Sequence, residues 1–269
     1  MGGLSRYPRL LLAFARYGLA REMSFRTNFL AKVAVEILWL GILLAFYGTV
    51  FTKTTVVANW TEPQYMFFVG CFFALEGVIE TFFLGNCLEF TELVRSGDLD
   101  FLLLKPIDEQ FLVTCRDIDW STAPNIVLGI AIMGVSLVRQ EWAFDFVQTL
   151  RFGVLFLCGS IIAYSFLLML SSLAVWIVRN QSMMEMWWLL TSLMRYPREI
   201  FHVEWAAPIG WFFSFVVPIM LAVSVPASSM VKVLAPEMAW FTAAAALVLL
   251  FVSRRVFKYA LSKYRSASS

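Results

Sequence analysis

The chain has 269 residues, of which 60% are hydrophobic, 16% are aromatic and only 15% are charged. Soluble domains carry about a quarter charged residues, so this composition excludes a sizeable water-soluble domain. The net charge of +2 indicates no broad basic surface, and we expect no nucleic-acid partner. The single histidine excludes a multi-histidine metal site. A mean hydropathy of +0.76 predicts a polytopic membrane protein.

Apolar runs along the chain predict the membrane-spanning helices. A bilayer core of about 30 Å needs about 20 apolar residues for each helical crossing. We find no repeat, linker or low-complexity tract, and therefore expect a single transmembrane domain over residues 1–269. The predicted spans are residues 33–51, 65–90, 120–138, 152–178, either 181–201 or 206–226, and 238–257.

Lysine and arginine residues cluster at both ends of the chain. Positively charged flanks remain on the cytoplasmic side, so both termini are expected in the cytoplasm and the number of crossings is even. Six crossings satisfy this rule and seven do not. The basic residues are Arg6, Arg9, Arg16, Arg21, Arg26 and Lys32 before the first span, and Arg254, Arg255, Lys258, Lys263 and Arg265 after the last.

Two segments compete for the fifth crossing. Hydropathy alone favours residues 206–226. Pro208, Pro218 and Pro226 instead favour a broken or re-entrant element there, because each proline removes a helical donor. The other segment would then cross at residues 181–201.

The N-terminal segment, residues 1–32, has the pattern of a basic amphipathic helix. Its apolar residues recur at helical spacing, and arginines occupy the other positions. Such a helix either transmits movement to the bundle as a connector or lies at the headgroup level as an anchor. The apolar face comprises Tyr7, Leu10, Leu11, Phe14 and Tyr17.

The predicted cytoplasmic loop, residues 91–119, contains a short apolar stretch from Leu99 to Leu104. Gly97 permits a turn before this stretch, and Pro106 ends it because the residue before a proline is disfavoured in a helix. The stretch is too short to cross the membrane and too apolar for a solvated loop. It either contacts another protein or folds back under its own bundle.

Glu76 and Glu80 lie in the middle of the second predicted span, four residues apart and therefore on one helix face. A charge at this depth is costly, so both side chains are expected to face a bundle interior or a cavity. They are candidates for a translocation pathway that binds a cationic substrate or protons. Alternatively, one or both are neutral and form hydrogen bonds to a neighbouring helix or to a second subunit. Glu36 follows Lys32 by four residues and is interpreted as an ordinary helical ion pair.

No enzymatic motif is found in the sequence. It has no G-x-x-x-x-G-K-[ST] loop to bind ATP phosphates and no G-x-S-x-G nucleophile motif. We therefore expect no catalytic residue, no metal site and no cofactor on this chain.

Three motifs, in this order, resemble the membrane subunits of type-2 ATP-binding cassette (ABC) transporters. The nearest likeness is to the exporter-like subgroup in which one ATPase accompanies two related permeases. Residues 92–106 resemble that family's Glu…Gly-x-Leu…Pro loop. Tyr196-Pro197 with Ile200-Phe201 is similar to its aromatic-proline element, and Val217-Pro218 through Val225-Pro226 to its paired-proline segment.

The resemblance implies an all-α fold with six transmembrane helices, an N-terminal connector helix and a re-entrant segment before the last span. It implies that residues 181–201 form the fifth crossing and that 206–226 re-enter from outside. It also implies that loop 91–119 docks on the ATPase. The implied ATPase-coupling residues are Glu92, Arg95, Gly97, Asp98, Leu99, Asp100, Leu103, Lys105 and Pro106.

The expected function is that of the permease subunit of an ABC exporter in the bacterial cytoplasmic membrane. A second permease chain, identical or a sister, would complete the pathway. Two copies of a separate cytoplasmic ATPase would hold the ATP and Mg²⁺. The alternative hypothesis is a secondary transporter or channel that uses Glu76 and Glu80.

Overall fold

The computed structural model describes residues 6–176, 180–202 and 205–264. These residues are helical almost throughout, and their only strands are β1 (Val56–Val57) and β2 (Trp60–Thr61). The predicted all-α fold of a polytopic membrane protein is confirmed.

The chain begins with two consecutive helices, α1 (Arg6–Ser24) and α2 (Arg26–Phe51). They separate at Phe25, whose φ of −117° and ψ of 52° lie outside the helical region. The amphipathic segment is thus a helix distinct from the first apolar one. Although α2 has 26 residues, it buries only Leu40 and Tyr47. Almost the whole surface of α2 is therefore left to lipid or a partner.

A β-hairpin connects α2 to the next helix. Ala58 and Asn59 at its tip have φ values of 49° and 63°, which matches the right-handed twist of a two-residue hairpin turn. Trp60 is fully buried. Thr61 and Gln64 then form a reciprocal capping box that begins α3 (Glu62–Ile79).

One continuous helix of 35 residues, Glu62–Ser96, forms the centre of the molecule. It comprises α3, a π-helical turn (Glu80–Leu84) and α4 (Gly85–Ser96). Its main neighbour is α7 (Ala123–Arg139), which approaches closely because glycines face each other at the crossing. A methyl group on Gly129 would lie only 2.6 Å from the Gly70 carbonyl oxygen.

Two short helices, α5 (Leu99–Leu103) and α6 (Glu109–Cys115), lie between α4 and α7. The first six residues of the predicted loop 91–119 are helical, because α4 extends to Ser96. Further along, α8 (Phe146–Ser172) continues into a 3-10 turn (Leu173–Val175). Asp145 caps α8 by accepting hydrogen bonds from the Val147 and Gln148 N–H groups.

The last third of the chain contains a bent helix pair. After α9 (Asn180–Met194) and a 3-10 turn (Arg198–His202) come α10 (Ala207–Trp211), a π-helical turn (Phe212–Val216), α11 (Leu221–Val231) and α12 (Pro236–Lys263). The axes of Ala207–Val216 and Leu221–Val231 differ by 93°, as in a broken span or a re-entrant loop. All residues of α11 from Leu221 to Met230 are buried.

The contact between α11 and α8 involves Ala222, which lies four residues before a proline. Pro226 has no N–H to donate to the Ala222 carbonyl one turn earlier. This carbonyl faces Gly159 of α8, where a methyl group would lie 2.0 Å from the Ala222 oxygen. The missing side chain of Gly159 therefore lets the two helices meet backbone to backbone.

Four described helices are long and apolar enough to cross a bilayer: Arg26–Phe51, Glu62–Ser96, Phe146–Val175 and Pro236–Lys263. The bent pair would be a fifth span if it crosses as one unit. With 17 and 15 residues, α7 and α9 are shorter than these helices. Six crossings, with 181–201 as the fifth, remain a prediction.

Candidate functional site

The apolar stretch predicted in loop 91–119 is the short helix α5. It follows Gly97, whose φ of 83° places it in the left-handed region where a side chain is strained. Ser96 Oγ donates a 2.8 Å hydrogen bond to Asp98, which precedes the first helical residue. The sharp turn separates α5 from α4.

The two faces of α5 have opposite environments. Leu99 is fully buried and Leu102 is 8% exposed, and both pack with Phe90 and Phe257 in a cluster under the bundle. Phe101 and Leu104, in contrast, are 68% and 80% exposed. Each of the two sequence interpretations therefore applies to one face of α5. The face with Leu99 and Leu102 folds back on the bundle, and the face with Phe101 and Leu104 is left as an exposed apolar surface.

The remaining residues of the predicted coupling set surround α5. Glu92 and Arg95 form a two-point ion pair on the exposed face of α4, with nitrogen–oxygen distances of 2.6 and 3.0 Å. This pair lowers the pKa of Glu92. Lys105 and Pro106 are exposed after α5, whereas Leu103 and Asp100 are half-buried. The predicted residues thus lie on α4, on α5 or in the segments next to α5, and Leu99 is the buried one among them.

An ionic network joins α12 to this surface. Arg254 Nη2 lies 2.6 Å from Asp108 Oδ2, and Arg254 Nη1 donates to Gln110 Oε1 at 2.9 Å. Gln110 Nε2 in turn donates to the Tyr164 hydroxyl of α8 at 2.8 Å. Burial opposes ionisation of Asp108, but the hydrogen bonds from Arg254 and from the Phe111 N–H hold its pKa below the ordinary value.

The N-terminal helix α1 lies directly against the same segment. Arg6 Nη1 donates to the Pro106 carbonyl at 3.2 Å, and the ring of Tyr7 meets that of Phe111 edge to face with 4.9 Å between centroids. Near the other end, Trp120 Nε1 donates to the Ala15 carbonyl at 2.8 Å. These contacts join α1 to both ends of the 106–120 stretch.

A second link fastens the end of the segment to the central helix. Asn86 Nδ2 donates to the Asp117 carbonyl at 2.6 Å, and the Asp117 N–H donates back to Asn86 Oδ1 at 2.9 Å. The Asp117 carboxylate accepts from Arg21 of α1. Helices α1 and α4 are therefore connected through one residue.

Inside the apolar region, four side chains form a polar cluster: Glu36, Glu76, Glu80 and Asn125. Asn125 Nδ2 donates to Glu36 Oε2 at 3.1 Å and is also a hydrogen-bonding neighbour of Glu80. Glu76 interacts electrostatically with both Glu80 and Glu36. The cluster joins α2, the central helix and α7.

The backbone around Glu80 is adapted to this cluster. A π-helical turn begins at Glu80. Next to Glu80, the Thr81 carbonyl accepts a 2.9 Å hydrogen bond from the Asp119 N–H, which lies outside this helix. Gly77 faces α7, where a methyl group would lie 3.0 Å from Asn125 Cβ. The absence of a side chain at Gly77 thus brings Asn125 close to the glutamates.

Arg195, at the end of α9, approaches the cluster from one side. Its guanidinium lies 5.6 Å from the centres of the Trp39 and Phe72 rings, within cation–π distance. It also interacts electrostatically with Glu76. A positive charge is therefore already held beside the carboxylates by aromatic faces.

The interpretation of Glu36 as the partner of Lys32 is wrong. Lys32 Nζ instead donates to Ser121 Oγ at 3.0 Å and lies 3.9 Å from Asp119 Oδ2. Glu36 accepts its hydrogen bond from Asn125 Nδ2. Sequence reasoning also missed Asn86, Asp117 and Arg254. One feature of the sequence could have identified Asn125 as a functional candidate, because this residue is an amide at the start of an otherwise apolar run.

Within the described ranges, no three histidine, cysteine or acidic side chains are arranged to hold a metal ion. Cys71, Cys87, Cys115 and Cys158 are free thiols.

The fold defines a helical membrane protein with exposed apolar side chains on α5 and a polar cluster between α2, the central helix and α7. A comparison with protein families identifies it further: the model for "ABC-2 family transporter protein" matches residues 37–268. The chain belongs to this family and is a membrane component of an ABC transporter. Members of the family work with an ABC ATPase. The comparisons with curated proteins and with solved structures gave no match.

Proposed function

We propose that the chain is the permease subunit of an ABC exporter, driven by a separate cytoplasmic ATPase through α5. The observation that carries this proposal is the pair Phe101 and Leu104, exposed on a short helix whose opposite face is anchored in the bundle. An exposed apolar surface rimmed by charged residues is typical of a protein contact. Glu92, Arg95, Asp98 and Lys105 supply that rim.

The route of coupling follows from what α5 is attached to. Closure of two ATPase copies, which hold the ATP and Mg²⁺, would push on Phe101 and Leu104. The push passes to the central helix through Gly97, and to α12 through the contact between Asp108 and Arg254. It reaches α1 through Arg6 and Tyr7, which gives the amphipathic helix a connector role in addition to any anchoring role.

A second permease chain, identical or a sister, is proposed to cover part of α2. This helix exposes large apolar side chains along its length, including Leu38, Ile42 and Phe46. A pathway between two chains would then be lined by α2 and the polar cluster behind it. Both termini are assigned to the cytoplasmic side of the membrane from the lysine and arginine distribution.

The test is purification of the tagged chain from its native membrane in mild detergent, with every companion chain identified by mass spectrometry. We expect a soluble ATPase in equal amounts, together with a second permease or a second copy of this chain. Reproducible recovery of a homo-oligomer without an ATPase contradicts the proposal. That result favours an ion-driven transporter or channel that uses Glu76 and Glu80.

A further inference from the structure

An open cavity lies between the first turns of α8 and those of α12. It has a volume of about 430 Å³, within the range of about 300–1,000 Å³ that is usual for small-molecule sites. Among the described residues that line it, Arg151 is the only charged one, and the others are apolar. The cavity thus combines one positive charge with an apolar lining.

The shape of the cavity is that of a groove along the two helices. From Val147 to Val154 on α8 and from Pro236 to Ala243 on α12, its lining advances by seven residues, or about 10 Å. Because the first parts of both helices line it, α8 and α12 begin at the same end of the molecule. The small side chain of Ala243 leaves space between the helices, and Trp240, which is 78% exposed, forms an outer wall.

The guanidinium of Arg151 is oriented but not neutralised. Its Nη2 donates a 3.0 Å hydrogen bond to the Ser229 carbonyl at the end of α11. Within the described parts of the chain, no carboxylate lies within 4 Å of it. Arg151 is also exposed, so its remaining N–H groups can be reached from outside. A planar guanidinium in this state is well suited to bind a phosphate group.

The position of Arg151 along α8 matches the level of lipid headgroups. The apolar helix Phe146–Val175 has 30 residues and is about 45 Å long, which exceeds the hydrocarbon core of about 30 Å. Each end therefore extends about 7 Å into the headgroup region. Arg151 lies about 7.5 Å from the start of α8, close to the boundary. Beyond it the groove continues past Val154 and Leu155 towards the apolar interior.

We propose that this groove binds an anionic phospholipid of the surrounding membrane, with its phosphate on Arg151 and one acyl chain between α8 and α12. Such a lipid supplies the negative charge and the apolar chain in a single molecule. The inference goes beyond the proposed function, because binding requires neither the ATPase nor transport. With both termini on the cytoplasmic side, as proposed, the groove lies in the opposite leaflet.

The test is native mass spectrometry of the tagged protein in a neutral detergent, together with any chain that copurifies. The probe is dioleoyl phosphatidylglycerol, and dioleoyl phosphatidylcholine has the same chains without net charge. We expect saturable binding of one phosphatidylglycerol, about fivefold tighter than phosphatidylcholine, because one basic residue favours the anionic headgroup by this factor. Glycerol 3-phosphate, which has the phosphate but no acyl chain, should not bind at the same concentration.

Variants of the basic residue test the headgroup contact. Arg151→Gln should weaken phosphatidylglycerol binding at least about fivefold, because charge-assisted hydrogen bonds to the phosphate are lost. Arg151→Lys keeps the charge and should retain most of the affinity. Arg139→Gln removes the same charge at the end of α7, where the guanidinium lies 3.4 Å from Glu62, and should leave the affinity unchanged.

Variants of α12 test the acyl-chain contact separately. Ala243→Leu fills the groove and leaves Arg151 in place, so it should weaken phosphatidylglycerol binding by at least about threefold. Ala244→Leu adds the same side chain at the next, exposed position, which does not line the groove, and should have no effect. Melting temperatures measured without added lipid show whether either variant is less stable.

Several outcomes overturn the inference. Equal affinity for the two phospholipids, or unchanged affinity in Arg151→Gln, excludes the headgroup contact. Equal affinity of the Ala243→Leu and Ala244→Leu variants, or binding of glycerol 3-phosphate as tight as that of the lipid, excludes the acyl-chain contact. If Ala243→Leu releases a copurifying protein chain instead of the lipid, the groove is a protein interface. None of these results affects the exporter proposal, which depends on recovery of the ATPase.

Discussion

Gly159 is a residue whose substitution should test the packing between α8 and α11. A methyl group there would lie 2.0 Å from the Ala222 oxygen, so the two helices would have to separate. We expect Gly159→Ala to destabilise the protein by about 1–3 kcal/mol, the usual cost of overpacking. Thermal unfolding in detergent would measure the loss.

The matched control for this variant is on the same helix. Gly153→Ala adds the same methyl group where no atom lies within 4 Å. Because alanine favours helix more than glycine does, its melting temperature should equal or slightly exceed that of the native chain. Equal behaviour of the two variants would show that the contact between α8 and α11 is not tight.

Because of Asp108, the thermal stability of the protein should depend on pH in the acidic range. Its pKa is below the ordinary value because of Arg254 and the Phe111 N–H, so its ionised form is favoured by folding. This contribution is fully present above the ordinary pKa of about 4 and is lost as the pH falls through the lower folded-state pKa. Native and Asp108→Asn proteins should therefore differ most in melting temperature near neutral pH, and their values should converge in acid. A constant difference at every pH would contradict this assignment.

At the scale of elements, α5 can be separated functionally from the rest of the bundle. Replacing Phe101 and Leu104 together by serine removes exposed apolar surface and leaves the buried Leu99 and Leu102 in place. We expect normal membrane insertion and melting temperature, but loss of most ATPase copurification and of ATP-driven transport, because the docking contact is apolar.

A matched substitution tests whether position matters for that result. Val233 is fully exposed in the loop before α12, far along the chain from α5. Val233→Ser should leave ATPase association unchanged. Retention of the ATPase by the double serine variant would exclude docking through α5.

The long apolar helices and the position of α5 follow from local signals, namely runs of apolar residues and the breaks at Gly97 and Pro106. The link between Asn86 and Asp117 does not follow from local signals, because these two residues come together only when α4 and the 91–119 segment have packed. Asn125 and Glu36 are 89 positions apart. The sequence alone could not show that they meet.

In the whole molecule, burial is concentrated in the interior helices and is low at the periphery. The most apolar 18-residue window of Glu62–Ser96 is 72% buried, compared with 6% for Arg26–Phe51 and 17% for Pro236–Lys263. The chain is thus built around one central helix, and its outer helices present apolar faces. Such faces suit lipid and a second permease, since neither requires polar groups on a helix surface.

The unbroken course of the central helix has a mechanical consequence. At 1.5 Å per residue, its 35 residues form a rod of about 50 Å. A tilt of only about 5° around its α5 end would move the far end by about 4 Å and Glu76 by about 2.5 Å. A shift of 2.5 Å is enough to break a hydrogen bond. If the ATPase pushes at α5 as proposed, a small rotation there would make or break contacts at Glu76 without any bending of the helix.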